Sequence, residues 1–505
     1  MSEEPKEIEL KFRLPPGRAE AVFAELAPSR AKTRQLTAIY YDTPRGALAK
    51  AGLTLRVRHD GESWVQTLKS DQAAGGGLGR GEWESKVAGA TPEPAALRGT
   101  PARKVLAKTK RLVALFTVKV ERRSAVRQIG RLALEVCLDR GEVAARGRTA
   151  PIHELELELK AGTPKALLDF AAKARASHGL ALSFATKAGR GHALLEKSRA
   201  VRFRPPGLSP QMPAAQAFQA IARASLEQII GNAERLAETP GPEVIHQMRV
   251  GARRLRSALS TFGKVVSDRR LTAVKAELKW LTGELDGARN LDVLLAGAYR
   301  RAAQRKADRL GLADLGRRLR IARTAAYARA RSAAEGERLR AFAMDTLVWI
   351  ETGAWTAAAA TRKRRARPLK TFAAKALQKR RDKVVEGGKD LAALTPEARH
   401  HLRIEAKKLR YAADVLAPLS PHGGRAARFM DALRTLQDAL GELNDIATGE
   451  TLAHDLVALP DVAGTTDWAA GRLIGEEASR EAALLAQAGA AMRTLRGVKP
   501  FWHET

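Results

Sequence analysis

The run His153-Glu154-Leu155-Glu156-Leu157-Glu158-Leu159-Lys160 alternates apolar and ionisable residues almost without a break. In an extended backbone, successive side chains point to opposite faces. Glu154, Glu156, Glu158 and Lys160 therefore share one face, and Leu155, Leu157 and Leu159 the other. Three carboxylates side by side repel one another unless a cation sits among them. A shorter strand near the start, Glu7-Ile8-Glu9-Leu10-Lys11, repeats the pattern with two glutamates and a lysine on its charged face. Strands of opposite sign lie between them: Thr54-Leu55-Arg56-Val57-Arg58 alternates arginine with apolar residues, and Trp64-Val65-Gln66-Thr67-Leu68-Lys69 ends in a lysine. Charged faces this coherent predict a closed β-barrel with a wet, charged lumen and an outer face packed on helices and loops.

Clustered carboxylates offer hard oxygen ligands to a divalent cation, and a lysine beside them can hold an anion. A metal and an anion held together are what a phosphoryl-transfer site needs. Lys119 and Arg123 occupy the face opposite Arg122, and alternation alone leaves open which face turns inward.

The ordered motifs resemble the CYTH domain, the triphosphate tunnel fold. They are the Glu7, Glu9 and Lys11 strand, Tyr40-Tyr41-Asp42-Thr43-Pro44, Leu53 to Arg58, Gln66 to Lys69, Glu82-Trp83-Glu84, Glu135 to Gly141, Glu154 to Lys160, and Ser183 to Gly191 with Lys187 and Arg190. The resemblance implies an eight-stranded antiparallel tunnel over residues 1–202. It implies triphosphate bound by Lys11, Arg56, Arg58, Lys69, Arg122, Lys187 and Arg190. It also implies Mg²⁺ or Mn²⁺ held by Glu156 and Glu158 with Glu7, Glu9 or Glu154, and Glu7, Glu9 and Lys11 at the catalytic centre. Glutamine at positions 156 and 158 is expected to abolish turnover in a folded protein.

Near residue 200 the composition changes. Phe203-Arg204-Pro205-Pro206-Gly207-Leu208-Ser209-Pro210 reads as a linker, placed at 203–212, because proline fixes the backbone and removes a donor. Beyond it strand signals vanish, and apolar residues recur at helical spacing. The overall class is α+β, a β tunnel followed by an all-α domain at 213–500, with helix breaks at Gly387-Gly388, Pro418 to Pro421 and Gly423-Gly424. The helical half is duplicated. His246-Gln247-Met248-Arg249-Val250-Gly251-Ala252-Arg253-Arg254-Leu255-Arg256 recurs as His400-His401-Leu402-Arg403-Ile404-Glu405-Ala406-Lys407-Lys408-Leu409-Arg410. Leu285 to Asn290 recurs at nearly the same interval as Leu440 to Asp445, which marks a duplicated bundle. Steps of three and four residues put His246, Arg249, Arg253 and Arg256 on one stripe, and His400, Arg403, Lys407 and Arg410 on its twin. Such a stripe repels itself, so either an anionic ligand or internal counter-ions such as Asp286, Asp292 and Asp445 must compensate it.

This pattern resembles the CHAD domain, which implies polyphosphate binding by the two stripes together with Arg254 and Lys408. The formal net charge of +33, shared by both halves, favours polyanionic partners. Aromatic residues make up only 5% of the chain, which disfavours stacking on single-stranded nucleic acid. The run Arg362-Lys363-Arg364-Arg365-Ala366-Arg367 reads as an exposed loop adding non-specific attraction. The one cysteine, Cys137, has no disulfide partner, and no apolar run reaches the ~18 residues of a membrane helix. These features predict no membrane partner and a cytoplasmic protein, with association with polyphosphate granules as a further possibility. The expected activity is hydrolysis of inorganic triphosphate. The alternatives are a polyphosphate-docking protein with little turnover, or a tunnel enzyme acting on an organic triphosphate such as thiamine triphosphate or ATP.

Overall fold

A computed structural model describes residues 6–15, 17–70, 79–107, 111–195, 200–305, 310–420, 423–458 and 464–502. Of the anticipated helix breaks, Pro421 lies outside the described residues. The strands are β1 (Lys6–Glu7), β2 (Glu9–Arg13), β3 (Lys32–Asp42), β4 (Leu53–His59), β5 (Trp64–Ser70), β6 (Arg80–Val87), β7 (Val113–Ile129), β8 (Leu132–Ala145), β9 (Arg148–Ala161) and β10 (Ala181–Ser183). They form one antiparallel sheet in the order β1-β6-β5-β4-β3-β7-β8-β9-β2-β10. Only Ile8 separates β1 from β2. Since β1 pairs with β6 and β2 with β9, the sheet closes on itself. Counting β1 and β2 as one strand, the ring has eight, and β10 adds a short pairing to β2.

Local chemistry fixes this register. Ala145 pairs with Arg148, leaving Arg146 and Gly147 as a two-residue turn with φ of 49° and 74°. Positive φ at both central residues is the hairpin turn that matches strand twist. The register it sets puts Glu154, Glu156 and Glu158 opposite Asp139, Cys137 and Glu135. Leu155 and Leu157 are fully buried on the other face, where the helices Ala19–Leu26 and Pro164–His178 pack against β8 and β9.

The inner face is charged over only part of its length. Leu36, Ala38, Tyr40, Phe116, Val118 and Val120 form an apolar cluster there, with Ala188 of the helix Lys187–Leu195 packed against it. That helix lies on β7, β8 and β9. Its Gly191 seats on Phe116, and a Cβ there would stand 2.3 Å from the ring carbons. Gly191→Val is therefore expected to destabilise the protein by about 1–3 kcal/mol through overpacking. Thermal unfolding reads this, and an unchanged midpoint would refute the close seating.

The chain forms two compact units. One comprises Met1–Gly207 with Ala222–Arg235 and Glu335–Ala357; the other comprises Leu208–Ile221, Leu236–Ala334 and Ala358–Thr505. Within the first, the helix Glu337–Thr352 packs on Pro164–His178 and β10. Arg223 Nη2 meets Glu351 Oε1 at 2.7 Å. Asn232 donates to the Val201 carbonyl (2.7 Å) and accepts from its amide (3.0 Å). Residues 201–209 have no regular secondary structure.

The second unit is helical and pseudo-symmetric. The first-copy helix Pro242–Thr261 and second-copy helix Pro396–Leu416 both start with proline in the first turn, where its missing N–H costs no hydrogen bond. Each packs on the helix after it, Arg270–Leu294 or Gly423–Val457, and the two copies touch each other, with Ser257 Oγ donating to the Lys408 carbonyl at 3.2 Å. The segments leading into the copies are also joined. Ala214 N donates to Arg367 O at 2.9 Å, and Leu369 N to Met212 O at 2.8 Å, around an antiparallel Pro213–Pro368 bridge. Among the described residues no helix is long and apolar enough to cross a membrane.

Candidate active site and basic helical cluster

A cavity of about 320 Å³ runs through the charged part of the barrel. Glu7, Glu9, Lys11, Arg56, Arg58, Lys69, Arg122, Glu156, Glu158 and Lys187 all line it. Arg122 faces inward, while Arg123 on the opposite face pairs with Glu20 and covers the Phe23 ring. Register explains the choice, because Arg122 stands opposite Asp139. Its Nε and Nη2 bind the two Asp139 oxygens at 2.7 and 2.6 Å, and Nη2 also reaches Glu156 Oε2 at 2.5 Å. Glu154 and Arg190 contact this network from its edge: Arg190 Nη2 lies 3.7 Å from Glu154 Oε2. Arg34 and Asp60 also line the cavity and escaped the sequence reading. Arg34 has the strand parity of Leu36 and Tyr40, an apolar set that reads as an outward core face, so alternation did not point it into the lumen.

The carboxylates fall into two groups that the sequence did not separate. Asp139, Glu154 and Glu156 are buried and offer oxygens within 4.8 Å of one another, close enough to hold a metal ion. The Lys187 ammonium sits among them, at 2.6, 2.5 and 2.9 Å respectively. Lys11 Nζ also reaches Glu156 at 2.5 Å. Burial alone would raise the Glu156 pKa, but Lys11, Lys187 and Arg122 hold it well below the usual carboxylate range. Glu7 and Glu158 behave oppositely. Lys69 meets Glu7 at 2.5 Å and Lys160 meets Glu158 at 2.6 Å. Yet burial and neighbouring carboxylates, Glu9 for Glu7 and Glu7 for Glu158, leave both pKa values raised.

The two cations differ: against burial, Tyr40, Glu82 and Glu7 hold Arg56 above its ordinary value. Arg58 is held below its ordinary value by Arg56 beside it and by burial. Their nearest carboxylates are distant, Glu82 at 3.9 Å from Arg56 and Glu84 at 4.0 Å from Arg58. Arg56 and Arg58, with no described carboxylate nearer than 3.9 Å, thus share one cavity with Glu7, Glu9 and Glu158.

In the helical unit, Arg249, Arg253, Arg403 and Lys407 are brought together. Burial and then Arg253 push the Arg249 guanidinium down to about 10. Asp286 compensates Arg249 at 2.6 Å. Asn444 Oδ1 lies 2.7 Å from His400 Nδ1 and accepts from Arg403 Nη1 at 2.9 Å. Asp445 faces Arg403 and Lys407. Asp292 serves elsewhere, bound to Arg323 and Tyr327 at 2.7 Å each. Arg254 turns to Asp414 (3.7 Å), Lys408 to Glu405 (2.5 Å), and both Arg254 and Arg410 cover the Tyr411 ring. Arg256 is exposed, and His246 is half-buried beside Arg289.

Two family models match: CYTH domain over residues 5–192 and CHAD domain over 220–454. The chain carries a CYTH domain followed by a CHAD domain. An inorganic triphosphatase of Haemophilus influenzae is 31% identical over 198 residues, which is 38% of this chain and 56% of that protein. The chain thus matches just over half the length of that relative. The crystal structure of the CHAD domain from the plant Ricinus communis superposes with a TM-score of 0.53 at 26% identity, covering 60% of this chain and 99% of that one. A putative adenylyl cyclase from Hippeastrum, described with a dominant triphosphatase activity, aligns at a TM-score of 0.29 and 21% identity over 37% of this chain and 95% of its own. In the CYTH domain the basic and acidic faces therefore meet inside a closed barrel; in the CHAD domain the duplicated stripes meet between the two copies.

Proposed function

We propose that the CYTH tunnel hydrolyses inorganic triphosphate with a divalent metal, Mg²⁺ or Mn²⁺, and that the CHAD stripes hold polyphosphate. One observation carries the reading: Arg56 and Arg58, with no described carboxylate nearer than 3.9 Å, line the same cavity as the carboxylates of Glu7, Glu9 and Glu158. Either alone fits anion or cation binding; together they fit a metal–phosphate substrate.

The donor sets assign roles. Arg56, Arg58, Lys69 and Lys11 are the direct phosphate ligands, the arginines offering bidentate geometry. An ammonium has three N–H donors. Lys187 spends all three on Asp139, Glu154 and Glu156, so it holds that triad's charge where a metal would otherwise sit. Lys11 uses two, on Glu9 and Glu156, and keeps one for a phosphate oxygen. Hard carboxylate oxygens suit Mg²⁺ or Mn²⁺, and Glu7, Glu9 and Glu158, which line the cavity, are the ones that would hold it. Bound there, the metal would polarise the terminal phosphoryl group. Hydrolysis breaks the terminal P–O–P bridge, forms a P–O bond to water and yields diphosphate and phosphate, the water's proton passing to a lumen carboxylate.

Phosphate release from triphosphate, long-chain polyphosphate, thiamine triphosphate and ATP tests this, each with Mg²⁺, Mn²⁺ or chelator. Triphosphate with metal is expected to be fastest, and chelator to stop release. Faster release from an organic triphosphate would replace the substrate, and silence with all four would leave a docking protein. Polyphosphate affinity is expected to fall steeply with added salt, as counterions compete for the stripe.

A further inference from the structure

One cation in the basic helical cluster can lose its charge. Arginine keeps its charge at neutral pH, and Arg249 does so even at its depressed value. Lys407 stands where the first copy has Arg253, and lysine yields its proton far more readily when buried.

The surroundings of Lys407 are almost all cationic. Arg403 precedes it by one turn on its own helix, and Arg249 and Arg253 face it from the first-copy helix. The helix Gly423–Val457 contributes Asp445, and Lys407 makes no ion pair with it or with any other described residue. On the helix Leu369–Gly387, Arg380 is committed to Thr261 Oγ1 at 2.9 Å and lies beside Glu405, which Lys408 binds. The adjoining turn Ala417–Leu419 brings no titratable group. Asp286 is taken by Arg249, with Arg289 and His246 next to it. Burial, then Arg253 and Arg403, hold the Lys407 amine down to about 6, so it is mostly neutral at pH 7 without a ligand.

We propose that anion binding at this cluster is proton-linked: a polyphosphate chain lying across Arg249, Arg253 and Arg403 converts Lys407 from amine to ammonium, taking one proton from solvent onto Nζ. The proposal rests on the polyphosphate reading above. The phosphates supply the negative charge that the protein withholds, so the ammonium becomes the favoured form. The bound state then carries one more proton than the free state. Affinity is flat below the free value and falls with rising pH above it, by up to about tenfold per pH unit.

The test uses the full chain and long-chain polyphosphate, whose internal phosphates keep a fixed charge near neutrality, at constant salt. Affinity is measured from about pH 5.5 to about 8.5, and calorimetry in two buffers of different ionisation heat counts protons. Wild type is expected to take up close to one proton at pH 7 and to show the falling affinity. Lys407→Arg is expected to lose both. Tight binding with no proton uptake would overturn the proposal. So would a Lys407→Arg variant that keeps the wild-type slope, which would put the proton on another group. If Lys407→Arg does not fold, Lys407→Gln, which likewise cannot take up the proton, decides in its place. Absence of binding at every pH would overturn the polyphosphate reading, and the linkage with it.

Discussion

Glu7→Gln combined with Glu158→Gln is expected to cut metal-dependent phosphate release from triphosphate by more than about 100-fold, since even groups that only orient metal ligands are worth 10–100-fold. The fold is expected to survive. Both carboxyls have raised pKa values from burial and neighbouring carboxylates, so neutral glutamines of similar size remove repulsion. Glu156→Gln is the contrast. It would leave Lys11, Lys187 and Arg122 without the carboxylate they share, and stripping one partner from a buried ion network costs about 3–5 kcal/mol. For stability, glutamine at 156 and glutamine at 158 are therefore expected to differ. Thermal unfolding and metal titration separate the cases. Retained turnover in the Glu7/Glu158 variant would move the metal to the Asp139–Glu154–Glu156 triad.

Replacing Arg249, Arg253, Arg403 and Lys407 together by alanine is expected to weaken polyphosphate binding by at least about 100-fold, since hydrogen bonds from charged donors are worth roughly 1.5–3 kcal/mol each. The salt dependence of any residual binding is expected to flatten, by about 0.7–0.9 in log–log slope for each phosphate charge no longer neutralised. Triphosphate hydrolysis is expected to persist, because none of the four lines the tunnel cavity. Binding assays at several salt concentrations, with phosphate release in parallel, read both. Joint loss of binding and turnover would mean that the two sites do not divide the work.

Strand alternation made the lumen legible wherever charge alternated with leucine, as at Glu154 to Lys160. It failed at Arg122, because period two defines two faces without naming the inner one; only pairing with Asp139 does so. The apolar part of the lumen was hidden for a related reason. Leu36, Ala38 and Tyr40 look like an outward core face, and the helix that covers them from within begins at Lys187, far along the chain. Glu154, Glu156 and Glu158 look equivalent in sequence, yet Lys187 contacts only the first two. In the helical half the repeat was plain. The division between Arg253 and Arg254, neighbours in sequence, required knowing that Asp414 and Tyr411 sit on the second residue's side.

The exchange of backbone bonds between residues 212–214 and 367–369 ties the two copies into a dimer written on a single polypeptide. Two identical subunits must carry every substitution twice, once on each side of their axis. Here one half can change while its twin stays fixed, and lysine at 407 beside arginine at 253 is such a one-sided change. Tandem duplication thus gives a symmetric scaffold an asymmetric centre.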